Sequence, residues 1–576
     1  MERTLNYWQA NRRPLNRRRI LAAGGAAAAA AAIGACGKSG SGPNGQSPAP
    51  AAQAPAKPTQ GGTLYLRQAD NPPTLDPHRT TSGPTEGIVG VVMSRLLQYK
   101  VGTDPKVAED HQVTGDLASG VETPDATTWT VKLRPDAMFQ NIAPVNGHAV
   151  EAEDVKATFT RALDPKNPGR SALDSIEPND IQTPDKSTVV FKLKYPYAPF
   201  QYALSSSTYG WILPREALAG TYDPATKMIG SGPFLADTFT PDVSYNFKRN
   251  PDWYDKSQPH ADGLQWAVIP NIGQTRAQFT GGHLDVYGSA GAPIPVDDVD
   301  TLKRDTPSAQ IFKTDPSTGQ ILYFHLGDPA SPFQDIRLRR AFSMAIDRDA
   351  LAKAIYNNDA EPQYYVYLNL GKWAMHQSDL PADTAQYYKY NPSEAKKLLQ
   401  ASGFADKQFK FVYVADYISL AYQKMSEAIS AMLNSAGIKA TLQVVDYTKD
   451  FIGGGKGIRY GNYPSDSVIS SGISVYEDVD TFIYNYYHSK ATSGLSHVSD
   501  ADLDGRITNA RSLVNEADRV KAYIDIQKYL ADKMYTVAGL PQGNVYVVVR
   551  PRVQNFQESL AFGAGTESYA KLWLKA

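Results

Sequence analysis

Residues 425–444 read MSEAISAMLNSAGIKATLQV. Met425, Ile429, Met432, Leu433 and Ala436 recur at helical spacing, which puts one apolar face on a helix. Gly437 then stops it, since glycine tolerates the left-handed conformation that commonly closes a helix. Ile438, Ala440, Leu442 and Val444 follow with the two-residue period of a strand. A helix that stops at a glycine and feeds a strand is a building unit of α/β layers.

The same pattern extends outward. Asn391-Pro392-Ser393-Glu394 predicts a helix start, with Asn as cap, Pro at the first position and Glu reaching back, and Gly403 as its stop. Leu338, Ala341, Phe342, Ala345 and Ile346 mark another helix, and Leu503, Ile507, Ala510 and Val514 a further one. Val545 to Val549 reads as a final buried strand. Toward the N-terminus, Thr63–Leu66, Trp129–Leu133 and Val189–Leu193 read as strands. Glu151, Glu153 and Asp154 suit the positive end of a helix that turns Val155, Phe159 and Leu163 inward. From Gly61 onward no repeat or linker interrupts about 515 residues, more than one core supports. Such a body is expected to divide into lobes, and a cleft between lobes is a natural ligand site.

The first 60 residues differ in kind. Arg12-Arg13 and Arg17-Arg18-Arg19 precede a weakly apolar Ala/Gly run from Ala22 to Ala32, the pattern of an export signal. Asn16-Arg17-Arg18-Arg19-Ile20-Leu21 resembles a twin-arginine motif. Ile33-Gly34-Ala35-Cys36 resembles a lipobox, with Cys36 as the residue to be lipidated. Residues 1–36 are therefore expected to be a signal peptide, and 37–60, rich in Gly, Ser, Pro and Ala, a disordered tether. Cys36 is the single cysteine, so no internal disulfide can form. A formal net charge of -1 gives no reason to expect nucleic acid as a partner. Tyrosines number 34, a residue that joins an apolar face to a hydrogen-bonding tip and suits binding clefts.

Several stretches, in order, are similar to one family. They are Gly61-Gly62-Thr63-Leu64 with Pro73-Thr74-Leu75-Asp76-Pro77-His78, then Asp116-Leu117-Ala118 with Thr128–Arg134, then Gly147–Val155. Ile229-Gly230-Ser231-Gly232-Pro233-Phe234, Arg249–Tyr254, Pro332–Ala341 and Ala345-Ile346-Asp347-Arg348 follow. Together they resemble the extracellular solute-binding proteins of ABC importers, of the dipeptide/oligopeptide/nickel type. The resemblance implies a two-lobe periplasmic-binding-protein-like α/β fold with an extra subdomain in the first lobe and a two-strand hinge. It places lobe I at 61–318 with the subdomain at about 106–229, lobe II at 319–540, and a return to lobe I at 541–576. It also implies a monomer that traps a small solute, delivers it to permease subunits with their ATPases, and needs no cofactor or catalytic group. The expected location is the outer face of the cytoplasmic membrane, held by the lipid on Cys36.

In oligopeptide-binding members the loop after the "LDPH" stretch touches ligand, which maps to Thr80, Thr81, Ser82 and Gly83. A second-lobe Asp there pairs with the peptide's amino group, and its position falls on Ser474 or Val475, beside Tyr476. Neither carries charge, and a buried ammonium without a counter-ion is costly. Either Glu477 or Asp478 takes over, or the ligand has no free amino terminus; an oligosaccharide or another non-peptide solute is the alternative. The histidines show no metal-ligand spacing, and no G-x-S-x-G or H-E-x-x-H stands in support of a secreted hydrolase. A sensor lipoprotein would keep the same fold. Arg337, Arg339 and Arg340 are expected on the outer side of the helix that Asp335 caps.

Overall fold

The computed structural model describes residues 57–575 apart from 69, 81, 102–111, 165–166, 168–169, 171–172, 289–293, 295, 317–318, 415–419, 453–455, 473–477, 492–493 and 557–567. The expected signal peptide, Cys36 and most of the tether lie outside the described residues. No helix among the described residues is long and apolar enough to cross a membrane.

The quoted stretch forms the helix Leu420–Ser435 and the strand Lys439–Val445, with Gly437 at φ +90° between them. The helix is the crossover that lets strand Gln408–Val414 pair in parallel with Lys439–Val445. Ser467–Gly472, Gln320–Phe324 and Thr536–Val537 complete this five-stranded sheet. Both of its faces are buried, as strands of unbroken apolar character require. Leu322, Phe324, Phe409 and Phe411 pack under Leu338 and Phe342 of helix Ile336–Met344 and Met425, Ile429 and Leu433. Ile321, Tyr323 and Val414 pack on the other side under Phe482, Ile507, Tyr523 and Leu530, from helices Val479–Tyr487, Ala501–Ser512 and Glu516–Lys533. Lys439–Val445 is the edge strand, and the cover on the face of Ala440 ends there, leaving Leu442 and Val444 40% and 56% exposed despite their alternation, while Val445 is buried on the other face. Val514 lies beyond its predicted helix and is exposed.

The first lobe is built on the sheet Thr63–Gln68, Gly263–Val268, Ser244–Arg249 and Phe234–Thr240. Leu64, Phe247 and Trp266 share a core with Val91 and Val92 of helix Gly83–Val92 and with the C-terminal Val547, Val549 and Leu572. A separate four-stranded sheet, Ala118–Glu122, Thr128–Leu133, Thr188–Lys192 and Ile181–Asp185, is covered by helix Ala152–Ala162 through Val155 and Phe159. Gly230 and Gly232 serve close approach here: a Cβ would stand 2.2 Å from the Val92 carbonyl oxygen and 2.6 Å from its carbon, respectively.

Two segments pass between the lobes. One joins strand Gln310–Thr314 to Gln320–Phe324, and the other joins Thr536–Val537 to Val545–Val549. Val545–Val549 is the middle strand of a first-lobe sheet, between Val286–Tyr287 and Gln310–Thr314. Asp359 ties this junction together. It pairs with Lys313 at 2.7 Å, accepts from Asn544 Nδ2 at 2.9 Å and from the Tyr546 hydroxyl.

Arg339 corrects the expectation for its motif. Arg337 pairs with Asp335 on the surface and Arg340 stands 3.8 Å from Asp532, but Arg339 is only 5% exposed. Its guanidinium donates to the carbonyls of Phe333, Gln334, Lys533 and Met534, closing the end of helix Glu516–Lys533. The helical repeat turns position 339 to the partner helix, and a fork of donors satisfies carbonyls that would otherwise be orphaned.

Candidate functional site

The loop before helix Gly83–Val92 is held from below. Asp76 accepts from Arg161 Nη1 at 2.9 Å and from the His78 amide at 3.0 Å. His78 is buried with Nε2 3.3 Å from the Trp211 carbonyl; burial and Arg161 push its pKa down to about 4, so it is a neutral structural imidazole. Thr80 Oγ1 accepts from the Ser82 amide at 3.0 Å, which folds Thr80 and Ser82 into a tight turn. Ser82 is the helix N-cap, its carbonyl accepts from Thr85 and Glu86, and its hydroxyl makes no cap bond. The turn therefore presents a serine hydroxyl and the positive end of a helix dipole.

Ser207 is tied to this loop through Trp211, whose carbonyl meets His78 Nε2. The Trp211 indole donates to the Ser207 carbonyl, and Arg95, stacked 4.5 Å from the Trp211 ring, donates to the Ser205 carbonyl at 2.6 Å. The adjoining Tyr195 and Tyr197 rings lie against Arg511 of the second lobe, and Tyr202 interacts with its Arg519.

On the second lobe, strand Ser467–Gly472 leads into 473–477, and Asp478 caps the helix that follows. Asp478 is buried, with Oδ1 accepting from the Thr481 amide at 2.9 Å and Oδ2 from its hydroxyl at 2.6 Å. Burial, with Asp480 nearby, pushes its pKa up to about 6. Asp480, 1% exposed, accepts from the Tyr523 hydroxyl at 2.7 Å and pairs with Arg511 at 3.1 Å. Burial works against the Arg511 charge, but Asp480 and the surrounding tyrosines hold its pKa above the usual arginine value. Burial raises Tyr197 and Tyr202 as well, and both feel the charge of Asp478. The acidic start of the second-lobe helix thus lies against the tyrosine segment of the first lobe.

Thr80, Ser82 and Gly83 come together at one helix start. Thr81, Ser474, Val475 and Tyr476 lie outside the described residues, as does Glu477, so the two predicted walls are seen only through their flanks. No motif or spacing in the sequence marks Asp480, Arg511 or the tyrosines at 195, 197 and 202. The only local signal is Tyr195-Pro196-Tyr197, two aromatics fixed around a proline. A cavity of about 410 Å³ opens along the same seam, lined by Gln201, Ser119, Trp129, Glu516 and Arg519 among others.

Among the described residues, His148, Asp154 and Glu216 bring possible metal-ligand atoms within 4.8 Å of one another. Asp154 already accepts from the amides of Glu151 and Arg215, and the Arg215 guanidinium stands 3.6 Å away. A cation there would meet a fixed positive charge, so the group reads as a helix cap beside a His148–Glu216 pair at 3.2 Å.

Comparisons with known proteins agree with this architecture. The probable D,D-dipeptide-binding periplasmic protein DdpA of Escherichia coli K12 is 25% identical over 508 residues, covering 86% of this chain and 91% of the relative. The oligopeptide-binding protein AppA of Bacillus subtilis is 23% identical, covering 85% and 88%. Its structure with a nonapeptide superposes with a TM-score of 0.70 at 20% identity, over 90% of this chain and all of that one. AgaA of A. tumefaciens R10, solved with agropinic acid, gives 0.71 at 24% identity over 89% and 99%. Residues 112–494 match the family described as bacterial extracellular solute-binding proteins, family 5. The chain belongs to that family of two-lobed solute-binding proteins.

Proposed function

We propose that the chain captures a peptide-like solute between its lobes and delivers it to the permease of an ABC importer, as a lipoprotein anchored through Cys36. The observation that carries this reading is the seam at which the first-lobe tyrosine segment meets Asp478, Asp480 and Arg511 of the second lobe. On the first lobe the uncapped helix start at Ser82 suits a ligand carboxylate or carbonyl. Lobe I spans 61–318 and lobe II 319–540, with 541–576 returning to lobe I; the extra subdomain, about 106–229, forms the tyrosine side of the seam.

One observation favours a ligand without a free amino terminus. Asp478 spends both oxygens on Thr481, and Asp480 is bound to Arg511 and Tyr523. Both carboxylates are already engaged by groups of their own lobe, which favours a ligand that brings no ammonium group; Glu477 lies outside the described residues. Blocked peptides, amino acid–sugar conjugates and oligosaccharides fit this wall better than a standard peptide. Native mass spectrometry of the protein purified without refolding tests it: a blocked peptide or conjugate is expected, and a peptide with an unmodified N-terminus refutes the ligand class. Cys36→Ala is expected to move the protein to the soluble fraction, and retention on membranes refutes the anchor.

A further inference from the structure

Arg511 sits at a point where three parts of the molecule meet. Its guanidinium carbon lies 4.7 Å from the Tyr197 ring and 5.3 Å from the Tyr195 ring, both on the first lobe. On its own lobe it lies 4.1 Å from the Tyr484 ring and 3.1 Å from Asp480. Its carbonyl accepts from the Ala198 amide at 2.8 Å, a main-chain bond across the seam. Tyr195 is itself fixed by its hydroxyl, which donates to Asp174 at 2.7 Å. A planar, delocalised cation against aromatic faces and a buried carboxylate is attracted by all of them at once, and only when the lobes are together.

We infer that Arg511 is a positioning residue that latches the second lobe to the extra subdomain through Tyr195 and Tyr197 while holding Asp480. Asp480 is in the first turn of the helix that Asp478 caps. The same guanidinium thus fixes the start of that helix and grips the opposite lobe. Opening breaks the contacts to Tyr195, Tyr197 and Ala198 and keeps those to Asp480 and Tyr484. The extra subdomain is then an active jaw of the clamp.

This rests on the lobes opening and closing, and on no particular ligand, so it is tested on ligand-free protein. The full chain, with Cys36→Ser and donor and acceptor dyes on Glu122→Cys and Lys396→Cys, is confirmed empty by native mass spectrometry. Single-molecule energy transfer then gives the ratio of closed to open molecules. Tyr195→Ala removes one aromatic face and leaves the Asp480–Arg511 pair intact. It is expected to lower that ratio about fivefold, within the range of a partly buried cation–aromatic contact. Tyr195→Phe keeps the ring and is expected to stay within about twofold of the parent. Arg511→Lys keeps the charge without the plane and should fall between them; should it fail to fold, the tyrosine pair decides alone. An unchanged ratio in Tyr195→Ala, or equal opening in Tyr195→Phe, overturns the inference whatever ligand is later found.

Discussion

Replacing Arg339 by lysine separates a buried fork of donors from a buried charge. Arg339 Nε donates to the Met534 carbonyl at 2.8 Å and Nη2 to Lys533 at 2.8 Å, while Nη1 reaches Phe333 and, at 3.1 Å, Gln334. Burial pushes the pKa of this guanidinium down to about 10, a measure of how little water reaches it. Lysine brings one nitrogen on a shorter stem. It cannot serve carbonyls on opposite edges of the planar guanidinium, so at least two are left without a donor. Each buried acceptor so stranded costs about 1–3 kcal/mol, which places the loss near 3 kcal/mol. For a cooperative unit of roughly 200 residues, about 2–4 °C is lost per kcal/mol, so the second-lobe transition should fall by roughly 6–12 °C. Near-ultraviolet circular dichroism through thermal unfolding measures this. Arg337→Lys is the control, since its pair with Asp335 lies at the surface, where ion pairs contribute little. A variant at 339 that melts within 2 °C of the control, on the order of 1 kcal/mol or less, would show that the buried fork contributes nothing special.

Two further substitutions read out single sites. Asp478 has its folded pKa at about 6, above the ordinary 3.8, so its bound proton adds stability that is full below pH 3.8 and lost as pH rises through 6. Asp478→Asn cannot titrate; its stability relative to the parent should climb between pH 4 and 6 and level off above, and a flat difference in chemical denaturation rejects the assignment. Gly461 has φ +82°, and a Cβ there would fall 1.4 Å from His497 Nε2. Gly461→Ala should cost about 2 kcal/mol or more, with part recovered by adding His497→Ala, and an undiminished midpoint in urea would contradict the packing.

Local pattern carried the fold. The run from Met425 to Val444 announced helix, stop and strand because each depends on neighbours a few residues away, and Asp335, Asn391 and Gly437 do what their types dictate. The glycines of the 230–232 motif stand out in the family stretch without showing what requires them. Their constraint is the backbone of Val92, distant in sequence. Arg339 defeated a surface reading for the same cause, since its carbonyl partners at 533 and 534 come from another helix. The candidate site was least legible. Thr80 and Ser82 came from a family likeness, whereas the Asp480–Arg511–tyrosine cluster joins positions near 195, 480 and 511 that no periodicity links. Leu442 shows the opposite failure, an apolar alternation continued past the end of its cover.

The position of Val545–Val549 bears on the order in which the molecule can be made. This strand is the centre of a sheet whose outer strands, Val286–Tyr287 and Gln310–Thr314, leave the ribosome more than 200 residues earlier. Arg552, just beyond it, closes the buried Asp285 that also receives the Tyr65 amide. During synthesis the second lobe can therefore complete its five-stranded sheet while the first still lacks its keystone. The half-built lobe waits with an apolar seam uncovered, and the last stretch of chain is what makes the first lobe whole.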